Sequence, residues 1–432
     1  MSAPATHNTS APAGVGVASR PGEYAAGRYR PDARHILLLG LMAALPAFST
    51  DMYLPSLPDV ARDLHTSATA AQLTMTAMMI GGAVGQLVIG PVSDRFGRRK
   101  PVLVGVALHV LTSVMCAIGP SIGMLIGLRA AQGFFNASAT VVAMAVIRDR
   151  FVGADAAKLM SRLMLVIGAS PLFAPSIGGL IAGAWGWRAV FWALALFGVA
   201  LWLVVAFYLP ETLPDERRRR GGLRTAANGY WRLLRDRHFV GLALLPGLAS
   251  AVLMSYVVSS PFVLRDGYGL TETQFALIFA VNGIGLVGGA QVNAALVHRV
   301  KPLHILRVSQ SLMVLMCGVL LVLGITAWGG LPALLVALFL TLSLVNLIAP
   351  NANALALSRH GEVAGTAAAV SGASQAIIGG SATPLSGLLG GTTVAMAGVM
   401  GTAAVLGLGV LAVATPAFRR TRAAAALVEP VP

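Results

Sequence analysis

Charge is what this sequence has least of. Only 11% of its 432 residues are Asp, Glu, Lys or Arg, against roughly 25% in soluble domains. Acidic residues number 16, and Asp51 alone among them stands well within an apolar stretch. There are two cysteines, Cys116 and Cys317, each inside an apolar run. Their spacing fits neither a disulfide framework nor a metal site, so both read as packing residues. The eight histidines form no H-x-x-x-H pair. No metal-ligand cluster, nucleophile–base pair or phosphate-binding loop is present, so catalysis has no support and no bound cofactor is implied. Ten-residue alternations are missing too, which argues against a membrane β-barrel.

Hydrophobic residues make up 56% of the chain and its mean hydropathy is +0.77. A spanning helix needs about 20 mostly apolar residues. Twelve runs qualify: 36–57, 70–91, 101–119, 122–147, 162–184, 188–209, 239–263, 273–297, 303–325, 331–350, 363–388 and 393–415. The expectation is an all-α membrane protein of twelve transmembrane helices in two pseudo-symmetric six-helix bundles. Its parts are a disordered tail (1–35), a first bundle (36–209), a basic linker (210–238), a second bundle (239–416) and a terminal tail (417–432). The first tail is too long and polar to begin a cleaved signal peptide. Two six-helix halves are the layout of a transporter built from repeats, with its site at their interface. The halves echo faintly: Asp51-Met-Tyr53 parallels Met254-Ser-Tyr256, and Gln86 to Pro101 parallels Gln291 to Pro302.

A net charge of +15 would suggest nucleic acid in a soluble protein. Here the charges lie between apolar runs, and contact with anionic membrane lipid explains them better; no nucleic-acid motif is present. Of the 31 Lys and Arg, all but Arg62, Arg129, Arg188 and Arg265 fall in the two tails or the even-numbered connections. That bias places both termini on the cytoplasmic side.

The second connection reads Gly90-Pro-Val-Ser-Asp94-Arg95-Phe-Gly97-Arg98-Arg99-Lys100. Gly97 supplies backbone freedom for a tight turn, Asp94 suits a helix N-terminus, and the arginines suit acids on neighbouring connections. This stretch resembles the G-x-x-x-D-R-x-G-R-[RK] signature of the major facilitator superfamily. Leu125-x-x-x-Arg129-x-x-Gln132-Gly133 is similar to the family's fourth-helix motif. Pro171 precedes Ala174-Pro175-Ser-Ile-Gly178-Gly179, which resembles the G-P-x-x-G-G motif of its drug:proton antiporters, with Ala174 in place of a glycine. Asp51-Met-Tyr-Leu-Pro55, Leu209-Pro-Glu-Thr-Leu213, Ser260-Pro-Phe262 and Pro350-Asn-Ala352 look like the Bcr/CflA multidrug efflux group. The resemblance runs from Ile36 to Thr415. It implies a proton-driven antiporter of the bacterial inner membrane, monomeric, exporting amphipathic drugs by alternating access. A nutrient uptake permease is the alternative within transport. A receptor without transport is the alternative outside it.

A charge inside hydrocarbon is costly, about 2.5–3.5 kcal/mol on the lenient scale, and so marks function. Asp51 lies 15 residues into its run and Arg129 seven into its own, so their depths differ by only a few ångströms in a core about 30 Å thick. Asp51 and Arg129 are the expected proton-coupling pair. Burial penalises the carboxylate and a nearby guanidinium favours it. Two alternatives stay open: Arg129 as a clamp on backbone and Gln132, and Asp51 beyond an early helix end, in solvent. Tyr53, Asn136, Tyr256, Asn282 and Gln375 are expected to bind substrate, with Met75, Met78 and Met79 as an adaptable surface. Gly90, Asp94, Arg95, Gly97, Arg98, Arg99, Asp149 and Glu362 are expected to form a cytoplasmic gate. Pro171, Ala174, Pro175, Gly178 and Gly179 are expected to form a hinge in the fifth helix. The resemblance implies that the fifth and eleventh helices meet at the interface between the halves.

Overall fold

The computed structural model describes residues 33–151, 153–218, 223–358 and 364–415. Every regular element among them is helical. The first half holds α1 (Ala33–Asp51), a 3-10 turn (Leu54–Ser56), α2 (Leu57–Asp63), α3 (Ala68–Phe96), α4 (Arg99–Ile118), α5 (Ile122–Arg150), α6 (Gly153–Trp185) and α7 (Trp187–Tyr208). The connection contains α8 (Leu223–Leu234). The second half holds α9 (Arg237–Ser260), a π-helical turn (Pro261–Gly267), α10 (Glu272–Leu296), α11 (Pro302–Thr326), α12 (Gly330–Leu357), α13 (Ala364–Leu388) and α14 (Thr393–Ala414).

Among the described residues ten helical spans are long and apolar enough to cross a membrane. α6 and α13 complete the expected twelve, at 33 and 25 residues. α13 is built largely of Gly, Ala, Ser and Thr, which dilute its hydropathy. Several helices begin at a side-chain cap that satisfies an otherwise unpaired amide. Ser67 accepts from Ala70, Ser121 from Met124 and Thr392 from Ala395, while Thr271 and Gln274 form a capping box. All four caps lie at the face opposite the arginine-rich connections, called here the basic face.

The first span departs from the expected 36–57. α1 ends at Asp51. A proline ring clashes with the carbonyl four residues earlier, and Pro55 stands four residues after Asp51. The chain turns through the 3-10 segment and resumes as α2. This is not an exit into solvent, because Met52 to Val60 is buried apart from half-buried Asp59. The seventh span breaks similarly at Pro261 and continues in π geometry to Gly267. The tenth runs on past Pro350 to Leu357.

Within the first half α3 packs on α5, α4 on α7 and α1 on α6; in the second, α10 and α11 pack on α12 and α9 on α14. The halves meet along α3 with α13 and along α6 with α10. Thus α6 and α13, the fifth and eleventh spans, both lie at the interface, but against α10 and α3 rather than against each other. Thr76 Oγ1 donates to the Gly380 carbonyl at 2.7 Å and lies 2.6 Å from Thr383 Oγ1. Ser259 and Ser386 hydrogen-bond between α9 and α13.

Small residues set the closest approaches, as usual where lipid supplies no hydrophobic drive. A Cβ on Gly133 would collide with the Met78 carbonyl, and one on Gly81 with the Ala130 carbonyl. In the second half Gly289 meets the Ser343 carbonyl between α10 and α12 in the same manner. Gly127, on the same helix as Gly133, has nothing within 4 Å of a built Cβ. Gly127→Ala should therefore leave thermal stability in detergent unchanged or raise it by up to about 1 kcal/mol. Gly133→Ala should lower it by about 1–3 kcal/mol through overpacking. Equal melting temperatures for the two variants would contradict the packing.

Candidate functional site

Asp51 closes α1 and is half-buried. Ser170 of α6 donates to its Oδ2 at 3.3 Å. Further along, α6 touches the break itself: a Cβ on Gly178 would overlap the backbone of Met52, and Gly179 faces the Pro55 ring at 3.9 Å. The antiporter-like motif thus packs against the discontinuity beside the carboxylate. Ala174 and Pro175 are buried there. The side chain of Pro171 lies outside the described residues.

Arg129 is fully buried, yet among the described residues it forms no ion pair with Asp51. Nη1 donates to the Ser49 carbonyl at 3.0 Å and to Gln132 Oε1 at 2.6 Å. Nη2 reaches Met75 Sδ at 3.4 Å. The guanidinium carbon sits 4.7 Å from the Tyr53 ring centre and 5.6 Å from that of Phe191, within cation–π range. Gln132 passes the chain on, donating to Ser113 Oγ at 2.7 Å, and Ser113 donates to the His109 carbonyl at 2.8 Å. The expected pairing is corrected here. The shared depth holds, since Ser49 is two residues from Asp51, but Nη1 and Nη2 of Arg129 are engaged by backbone, amide and sulfur, while its buried Nε has no partner among the described residues.

The five expected substrate residues do not form one open surface in this state. Tyr53, Tyr256, Asn136 and Asn282 are all buried. Thr74 Oγ1 lies 3.2 Å from the Tyr53 hydroxyl, and Asn282 donates to the Tyr256 hydroxyl at 2.8 Å. Each tyrosine therefore bonds the helix that follows it, α3 or α10, which is the faint sequence echo made structural. The Asn136 amide is buried with no partner among the described residues. Gln375 is half-buried and, among the described residues, its side chain reaches only the Ser371 carbonyl, at 3.5 Å. Met75 and Met78 are buried packing residues, and Met79 lies against Gly380.

At the basic face Arg98 is 6% exposed and carries a knot of bonds. Its Nε donates to Asp149 at 2.8 Å, and its Nη1 to Asp94 at 2.6 Å and to Ser93 at 2.8 Å. Glu211, missing from the expected gate, sits on the N-terminus of α4. It accepts from the amides of Arg98 at 2.8 Å and Arg99 at 3.2 Å. The anion at that helix N-terminus is therefore Glu211, while Asp94 serves Arg98. Gly97, at φ +88°, leaves its Cβ position to the Glu211 carboxylate. The signal was in the sequence, in Leu209-Pro-Glu-Thr-Leu213 directly after the sixth run. Arg99 donates to the Ala206 carbonyl at 2.6 Å, Arg95 stacks on Phe96 at 5.2 Å, and Gly90 has open space about it. Glu362 lies outside the described residues. Every described member of this knot comes from the first half or from the start of the connection directly after α7, so it braces one bundle rather than latching two.

An ionic contact between the halves lies on the opposite face. Arg265 of the π-helical turn donates to the Pro55 carbonyl at 2.8 Å and lies 3.6 Å from Asp59. Arg62 pairs with Asp59, and Arg188 with Asp63, to which Trp187 also donates at 3.1 Å. The arginines that break the positive bias are thus each matched by an acid, apart from the buried Arg129.

Partial burial works against the Glu211 charge, yet the amides of Arg98, Leu213, Arg99 and Thr212 hold its carboxyl below the ordinary glutamate value of 4.5. A carboxyl lowered in the folded state stabilises fully above its unfolded value and loses that contribution as pH falls through the folded one. Glu211→Gln should cost about 1 kcal/mol or less at pH 7, since the group is solvent-screened. The gap in melting temperature from the parent should close as pH drops below 4.5. A gap that persists unchanged in acid would show that charge is not the cause.

The chain matches the Major Facilitator Superfamily model over residues 39–384. It is 35% identical over 353 residues to an uncharacterized MFS-type transporter, YdgK, of Bacillus subtilis, covering 81% of this chain and 88% of that one. It is 33% identical over 345 residues to a bicyclomycin resistance protein homolog of Haemophilus influenzae, covering 80% and 86%. It is 30% identical over 246 residues to the multidrug resistance protein MdtL of Escherichia coli, covering 57% and 62%. Among solved structures, a D-xylose-proton symporter superposes with TM-score 0.70 at 17% identity, covering 88% of this chain and 96% of that one. The human organic anion transporter MFSD10 superposes with TM-score 0.65 at 18% identity, covering 88% and 99%. Twelve spans in two halves, the knotted second connection and these matches agree: the chain is a multi-pass transporter rather than an enzyme, and belongs to the Major Facilitator Superfamily.

Proposed function

We propose that the chain exports amphipathic drugs or related small molecules across the bacterial inner membrane in exchange for protons. It works by alternating access, as a monomer with both termini cytoplasmic. No bound cofactor takes part; the proton gradient is the driving force. The observation that carries this reading is Asp51, a half-buried carboxylate at a proline-forced break in α1, contacted by a hydroxyl from the motif helix α6. With Arg129 engaged elsewhere, Asp51 has no guanidinium to neutralise it. A proton or a cationic substrate can do so in turn, and competition of the two for one site is exchange. The names of two relatives, one for bicyclomycin resistance and one for multidrug resistance, support a drug as cargo. The basic bias of the connections supports the orientation.

Arg129 takes a positioning role in this scheme, holding Tyr53 and the end of α1 in place. Asn136 and the buried Gln72 have side-chain amides without a partner among the described residues, and Gln375 is held only by a long bond to the Ser371 carbonyl; all three have amide capacity for a ligand. Tyr53, Tyr256 and Asn282 join them when the halves separate.

Purified protein in vesicles under an imposed pH gradient tests the reading. Parent protein should move cationic drug against the proton flow. Asp51→Asn should lose at least about tenfold of that exchange, the size expected when a proton-transferring group is removed, with its melting temperature unchanged. Full exchange by the variant would overturn the coupling role. Drug moving together with protons would overturn the direction.

A further inference from the structure

The connection helix α8 carries a second apolar face that the transport reading does not use. Its inner face is docked. Leu233 is 3% exposed, the Tyr230 hydroxyl donates to the Leu87 carbonyl of α3 at 3.0 Å, and Gly229 lies beside Thr366 of α13. Its outer face is bare. Ala227, Trp231 and Leu234 recur at four- and three-residue spacing, so they share one side of the helix. Trp231 is 60% exposed and Leu234 51%. Arg232 of α8, Arg235 just after it and Arg237 at the start of α9 are exposed, and the Arg235 guanidinium stacks over the Trp231 ring at 5.2 Å. Asp236 is the one acid between Leu223 and His238, and its carboxylate is turned to the α9 N-terminus, accepting from the His238 amide at 2.9 Å.

We propose that this face of α8, with the arginines at its end, binds the anionic headgroups of phospholipids, with Trp231 and Leu234 set among the upper acyl chains and Arg232, Arg235 and Arg237 on the phosphates. The charge argues for the occupant. A bare tryptophan and leucine ringed by arginines has the make-up of an interfacial helix, in which the apolar side enters the bilayer boundary and the basic side attracts anionic lipid. A second copy of the chain would bring the same arginines against each other. α8 touches α3 of one half and α13 of the other, so a lipid held there sits on the seam between the halves. The proposal holds whichever way the chain transports, and vesicles with the same lipid in both leaflets remove any dependence on orientation.

The test uses the full chain with Ala227→Cys carrying a bimane fluorophore; Cys116 and Cys317 are buried and do not compete for label. The protein is placed in phosphatidylcholine vesicles containing a minor fraction of brominated phosphatidylglycerol or, in parallel, of brominated phosphatidylcholine. Quenching should be stronger with the anionic quencher. The amount of it needed for half quenching should rise about fivefold for each arginine replaced by glutamine. The zwitterionic quencher should respond to none of these substitutions. Equal quenching by the two lipids would overturn the proposal, as would quenching by neither. Protection from both lipids that disappears on dilution of the protein would assign the face to a second copy instead, and would also overturn it.

Discussion

A guanidinium inside hydrocarbon must be satisfied, and the first half of this protein is built around meeting that demand at Arg129. The charge is met without a carboxylate: a carbonyl, an amide oxygen, a sulfur and two aromatic faces surround it. Those groups belong to the α1 segment, α3, α5 and α7, and Gln132 extends the network to α4 through Ser113. Five helices are therefore fixed to one another at a single depth. Nε already lacks a partner among the described residues, and removing a further partner would leave more donors unpaired in a place where each costs several kcal/mol, so the cluster resists local change.

In the proposed exchange, this engagement is what leaves Asp51 available. A carboxylate bound to a buried guanidinium would stay ionised, and could not exchange its proton for a cation. Here the chain separates the two. Pro55 stops α1 at Asp51, and Gly178 lets α6 close on the backbone of Met52. The break and the motif glycine are two sides of one joint, with Ser170 reaching the carboxylate across it. α6 also packs on α10 of the second half. A shift of one half against the other therefore passes through α6 to the surroundings of Asp51 by direct contact. The path is one helix long.

Much of this architecture is legible in the order of the amino acids. Twelve apolar runs, the arginine bias and the second-connection motif identify the fold because each follows from composition or local spacing. The depth of Asp51 and Arg129 is legible too, since helical rise is constant. Rotation about the helix axis is not, and so neither is the choice of partner: two residues at one level can point apart, as these do. The bracing role of Glu211 joins positions 113 residues apart in sequence, a distance no local pattern spans. The ionic knot at Arg98 reads in sequence as a latch between halves because charge content says nothing of which bundle supplies the partner.

The placement of polar contacts shows how such a protein can be rigid and mobile at once. Inside the first half the bonds are dense and buried. Arg98 is held by Asp94, Asp149 and Ser93, and Arg129 by its own set. Across the halves they are few and exchangeable. Arg265 makes a bond to a carbonyl and a 3.6 Å ionic contact, of a kind worth about 0–1 kcal/mol when solvent can reach it. The seam between α3 and α13 is lined by hydroxyls such as Thr76 and Thr383, which can donate to a carbonyl in one alignment and to another oxygen after a small rotation. Small residues on the same seam, Gly372 and Gly380, offer little side chain to interlock. Two states separated by a few kcal/mol interconvert on the strength of a ligand's preference alone. By concentrating stability within a bundle and leaving the interface to hydroxyls, sparse ionic contacts and small residues, the chain keeps that gap within reach of a ligand's preference for one state.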